Sequence, residues 1–280
     1  MTDRVDGRVA ALVVVLAATV LVVSAAAPVL TDARPAREIP APTVDGDLAE
    51  PDADAWSEVS AADVPLSAAP SGVPNYEQVS VREVTVQAAR SDGRLYVRVR
   101  WTDETANADV DGPRSFADGA AVQIPVDTST QPAIAMGSTD NRVNVWFWRA
   151  DNETEELLAG GQGSTTEFEE SDLEVTATHE DEEWTVVFSR SLDASATNRT
   201  AITDDADLDV AFAAWDGENM ERSGHKAASN WYYFPLGTGD EGAPFETLLW
   251  ALAGIAIAAV VVVTALAVRR TRESSGGGDA

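Results

Sequence analysis

Between about residues 43 and 236, apolar and polar side chains alternate with a period of two, the pattern of half-buried strands. Val79, Val81, Val84 and Val86 mark one strand, and Ser91-Asp92-Gly93-Arg94 then turns the chain into LYVRVRW. There Leu95, Val97, Val99 and Trp101 share one face, with Tyr96, Arg98 and Arg100 on the other. Residues 120–124 read as a further strand. In the next, Val143, Val145 and Phe147 alternate with Asn144, Trp146 and Trp148, so one face is apolar and the other bears tryptophan. Leu173, Val175 and Ala177 pair across a loose acidic loop at 179–183 with Trp184, Val186 and Phe188, and His179 falls in that loop. Leu208, Val210, Phe212 and Ala214 follow, and residues 231–236 close the segment. No helical period is sustained between residues 43 and 240. Many short strands with such turns predict an all-β fold, an antiparallel β-sandwich.

Two continuous apolar runs flank that segment. Residues 9–30 follow Arg4 and Arg8 and end in small side chains, as a secretory signal or an uncleaved N-terminal anchor would. Residues 248–268 carry no charge and run directly into Arg269, Arg270 and Arg272, the pattern of a transmembrane helix with a cytoplasmic stop-transfer flank. The expected organisation is a signal or anchor at 1–30, a linker at 31–42, and an exported sandwich domain at 43–236. A second linker at 237–247, a membrane helix at 248–268 and a cytoplasmic tail at 269–280 complete it. The main domain would then face outward from a cell membrane.

Charge sharpens the picture. The chain has 47 acidic and 19 basic side chains, a net charge of −28. Acids and bases balance before residue 31 and after residue 245, so the whole excess lies on the middle segment. Such a surface repels phosphate backbones, which excludes nucleic acid as a partner. Strong acidity with arginine almost replacing lysine suits a protein kept soluble in concentrated salt, as in halophilic archaea. The absence of cysteine excludes disulfides, thiolate metal sites and covalent c-type haem.

Most polar clusters carry no specific chemistry. Asp103, Glu104, Asp109 and Asp111 approach a calcium loop but lack its glycine and closing glutamate. No serine sits in nucleophile-elbow spacing, so no independent catalytic site is expected. One position is anomalous. Lys226 is the single lysine, and it lies in SGHKAASNWYYF, among aromatic and small residues where desolvation favours the neutral amine.

Several stretches recur in a telling order. Val44-Asp45-Gly46 and Asp54-Ala55-Trp56 are followed by LYVRVRWTD and FADGAAVQIP. Then come Met136-Gly137, VNVWFW, AAWDG and GHKAASNW. Together they resemble the haem b-binding gamma subunit of the type II dimethyl-sulfoxide-reductase family of molybdoenzymes, of which ethylbenzene dehydrogenase is the namesake. The resemblance covers about residues 43–236. It implies a β-sandwich that holds one haem b non-covalently, with Met136 and Lys226 as the axial ligands of the iron. His225 and Met220 stand as alternative donors. It further implies a non-catalytic electron-transfer role between the membrane and the iron–sulfur and molybdopterin subunits of a respiratory complex. A competing reading comes from the same opening motifs, which are also similar to carbohydrate-binding modules of sandwich fold. In that case Trp146 and Trp148 would stack on sugar rings.

Overall fold

The hairpin read at Ser91-Asp92-Gly93-Arg94 forms as a two-residue turn in which Asp92 (φ 47°) and Gly93 (φ 74°) both adopt left-handed backbone, as such a turn demands. It joins β3 (Glu83–Ser91) to β4 (Arg94–Thr102) in the computed structural model, which describes residues 37–193, 197–203 and 206–236. The expected N-terminal segment and membrane helix lie outside those residues. Among the described residues, no helix is long and apolar enough to cross a membrane.

The strands form two antiparallel sheets. The first has the order β1 (Ala62–Pro65), β3, β4, β10 (Glu183–Ser191), β9 (Glu174–Glu180). In the second, β2 (Ser67–Ala68), β12 (Ala227–Ala228), β11 (Asp207–Trp215) and β5 (Gly119–Pro125) lie in that order. It continues through β6 (Val143–Arg149), β7 (Glu153–Ala159) and β8 (Thr165–Glu167), while β13 (Tyr232–Pro235) pairs with the first half of β11. Val97, Val99, Val186 and Phe188 of one sheet and Val122, Trp146, Val210 and Phe212 of the other belong to a single buried cluster. The two sheets therefore pack face to face, a sandwich as predicted. At one end Trp101, Trp148 and Trp184 interlock, with ring centroids 5.0 to 6.5 Å apart. The chain is already part of this body at Ile39, fully buried and hydrogen-bonded to the Tyr233 carbonyl, ahead of the expected start at residue 43.

Two local features differ from expectation. The acidic hairpin at 179–183 is tight rather than loose: Asp181 (φ 51°) and Glu182 (φ 63°) make the whole turn, and His179 lies inside β9 opposite Trp184. β7 was not anticipated, because its first half reads Glu153-Thr154-Glu155-Glu156. The reason is a polar core. Glu156 is 2% exposed and sits between Arg190 and Arg199, at 3.0 Å from each guanidinium, while Arg190 also donates to Asn144. A buried carboxylate is tolerable when paired in this way.

Candidate functional site

The second sheet is apolar on its outer face as well, which a sheet with one face in water does not require. Val143, Val145, Ala121, Ala211 and Trp215 form a separate cluster there, with Phe147, Leu157 and Met136 packed against it. At the centre of that face the side chains are unusually short. Gly119 and Ala121 of β5, Ala211 and Ala213 of β11, and Ala228 of β12 leave a hollow of about 830 Å³, within the range of cofactor-sized clefts. A methyl group added at Gly119 would stand 3.0 Å from the Trp148 carbonyl, and near the Trp215 and Phe147 rings. Those two rings, edge to face at 5.4 Å, wall the hollow on one side.

Met136 lines the cavity from the loop between β5 and β6. Its φ is 66°, and Gly137 follows at 69°. Glycine is required at 137, since a Cβ there would lie 2.5 Å from the Asn141 carbonyl oxygen. At Met136 the left-handed backbone is strained, and the surrounding hydrogen bonds impose it. The Met136 N–H donates to Ile134, Gly137 to Ala133, and Gly161 to the Met136 carbonyl, each at 2.9 Å.

Lys226 lines the same cavity, from the residue just before β12. Gly224, Lys226 and Ala228 face the hollow while His225 and Ala227 do not, the alternation of an extended segment. The Lys226 Nζ sits 4.9 Å from the centre of the Trp215 ring, a cation–π contact that replaces part of its hydration. Burial pulls its pKa down from 10.5 to about 8.

The structure thus brings Met136 and Lys226 to one cavity and leaves the alternatives outside it. The His225 imidazole Nε2 is 2.8 Å from the Gln78 carbonyl, and Met220 is 43% exposed. Trp146 and Trp148, the sugar-stacking pair of the competing reading, are buried between the sheets at 0% and 6% exposure. Sequence reasoning did not find the cavity's floor or Trp215 as its wall. The available signal was AFAAW, in which residues 211, 213 and 215 take the face opposite Val210, Phe212 and Ala214. Of three large apolar side chains exposed among the described residues, Val73 and Val110 both stand on the cavity's rim. At the mouth Arg222 lies over the Phe116 ring at 4.3 Å.

Comparison with known proteins places the chain among relatives of one family. The family model described as ethylbenzene dehydrogenase matches residues 53–172 and 166–227. A Haloferax mediterranei protein provisionally named respiratory nitrate reductase heme subunit ORF7 is 47% identical over the full length of both chains. The chlorate reductase subunit gamma of Ideonella dechloratans is 38% identical, covering 66% of this chain and 77% of its own. The dimethylsulfide dehydrogenase subunit gamma of Rhodovulum sulfidophilum is 31% identical over 66% of this chain and 74% of its own. Among solved structures, a family 9 carbohydrate-binding module of Caldicellulosiruptor kristjanssonii covers 74% of this chain and 97% of its own. At 12% identity and a TM-score of 0.41, that likeness is too distant to bear on function.

Proposed function

This chain belongs to the ethylbenzene dehydrogenase family, and from that premise we propose that its cavity holds haem and that the chain is an electron-transfer subunit of a respiratory oxidoreductase complex. The finer reading is one haem b per chain, bound without a covalent bond, with Met136 and Lys226 as the axial donors. One observation carries it: a thioether and a desolvated amine, from two loops far apart in sequence, line the same sheet-floored hollow.

The residues present fit such a group. The Gly119, Ala121, Ala211, Ala213 and Ala228 floor leaves space against the sheet that ordinary side chains would fill. A thioether and a neutral amine are both competent iron donors, and neither brings a charge into an apolar site. When bound, haem supplies a one-electron couple; the chain supplies ligands, an apolar wall and exclusion of water. Met136 lines the cavity from a left-handed backbone position, and burial brings Lys226 part of the way toward losing its proton. Methionine ligation raises the potential relative to paired imidazoles.

The chain performs no substrate chemistry of its own in this reading. It exchanges electrons with the iron–sulfur and molybdopterin subunits that complete a reductase or dehydrogenase. The segment 248–268 would anchor it to the outer face of the cell membrane of a halophilic archaeon. The test is an absorption spectrum of the purified chain, oxidised and reduced. A Soret band with sharp reduced α and β bands is expected. Met136→Ala and Lys226→Ala should each convert the six-coordinate spectrum to a five-coordinate one. A chain that takes up no haem defeats the proposal; full six-coordinate spectra in both variants defeat the ligand assignment alone.

A further inference from the structure

Beside the cavity rim lies a second constellation that the haem reading does not use. Asp103 follows the end of β4, Asp118 precedes β5, and Asp216 follows β11. Each offers a carboxylate oxygen, and these oxygens lie within 4.8 Å of one another. Asp118 is fully buried, Asp103 is 8% exposed and Asp216 is half-buried. Among the described residues, no arginine or lysine forms an ion pair with any of them. His179 is near, but its Nε2 is engaged with the Asp103 backbone carbonyl at 2.9 Å.

Accounting for the carboxylate oxygens isolates one atom. Asp118 accepts from the Gly217 N–H on Oδ1, and from the Asn107 N–H and the Trp184 indole on Oδ2. Asp216 accepts from Asn219 and Ser80. Asp103 Oδ1 accepts from the Thr105 N–H and hydroxyl. Asp103 Oδ2 is buried and has no hydrogen-bond partner. An acceptor in that state is costly unless something positive fills the place of the missing donor.

We propose that Asp103, Asp118 and Asp216 form a calcium site in which the ion occupies the position facing the unpartnered Asp103 oxygen. An all-oxygen donor set disfavours zinc and copper. Calcium accepts irregular, largely protein-made coordination, whereas magnesium retains several waters and demands near-ideal octahedral geometry. The ion ties the end of a first-sheet strand to two second-sheet strands. Two of its ligands adjoin cavity residues, Asp118 beside Gly119 and Asp216 beside Trp215. Gly217 packs so closely on the Phe116 carbonyl that a Cβ there would overlap it at 1.9 Å, so the rim has little room to shift once this corner is fixed. The site is independent of what fills the cavity.

Terbium is a direct probe, because Trp184 donates to Asp118 at 3.0 Å and can serve as its antenna. The full chain, purified in detergent, stripped with a chelator and kept in molar potassium chloride, is titrated with terbium under tryptophan excitation. Saturable one-to-one luminescence is expected, displaced by calcium but not by equal magnesium. Calcium should also raise the melting temperature of the stripped chain by roughly 5 °C. Asp216→Asn should weaken terbium binding at least about tenfold, while Asp111→Asn, an exposed control, should leave it unchanged. Equal luminescence in both variants, or no calcium-dependent melting shift in the unaltered chain, overturns the site. The melting shift decides the matter even if Asp216→Asn fails to fold.

Discussion

If Lys226 ligates iron, it must first give up a proton, and the structure sets how hard that is. At neutral pH an ordinary lysine would pay about 5 kcal/mol for deprotonation. With the pKa lowered to about 8 by burial, the cost falls to about 1.4 kcal/mol. The sign follows directly. Haem binding expels the proton, so loading strengthens as pH rises until the free-protein pKa is passed, and then levels off. Between pH 6 and pH 8 the apparent affinity should increase by about 50-fold, close to tenfold per unit at the lower end. The assay is haem transfer to the stripped chain from a competing apoprotein of known, pH-characterised affinity, read at the Soret band. In Lys226→Met the slope should vanish, because a thioether releases no proton. His225→Ala should keep the full slope, since that imidazole is turned away toward Gln78. A flat profile in the unaltered chain, or an unchanged slope in Lys226→Met, refutes the reasoning.

Three further outcomes are expected. Gly137→Ala forces a Cβ against the Asn141 carbonyl at a left-handed φ. It should cost about 1–3 kcal/mol in urea unfolding and lower haem retention by displacing Met136. Glu156→Leu strands two buried guanidinium groups, Arg190 and Arg199. It should destabilise by about 3–5 kcal/mol, and molar salt should restore little of that loss because the site is closed to ions. Trp215→Leu removes the ring under the Lys226 ammonium while keeping an apolar wall, so haem should still bind. The loss should then show in urea unfolding of the stripped chain, as about 0.5–2 kcal/mol.

The two-layer architecture was legible in the chain because its strands must bury one face in two, and that constraint writes itself as alternation. Leu95, Val97, Val99 and Trp101 face inward as read. β7 escaped because Glu156 occupies an inward position, and its partners Arg190 and Arg199 are supplied from other segments. The tight Asp181-Glu182 turn escaped because Glu182 stands in left-handed backbone where glycine is usual. Met136 and Lys226 were reached through motif order and the rarity of lysine, and periodicity alone would not have joined them. The cavity floor is written as small residues, which single-sequence reading cannot tell from filler. The three aspartates converge only once β4, β5 and β11 are brought together, so Asp103 was seen in the company of Asp109 and Asp111, which are exposed.

Met136 and Lys226, which line one cavity, stand roughly 90 positions apart on a chain that owns no thiol. A metal centre gripped from both sides would close that interval as a covalent bridge does, removing loop entropy from the unfolded ensemble. By the arithmetic used for disulfides, a loop of that length corresponds to about 4–5 kcal/mol. The prosthetic group would then double as the clasp of the domain, and loading would mark the moment when the chain becomes hard to pull apart.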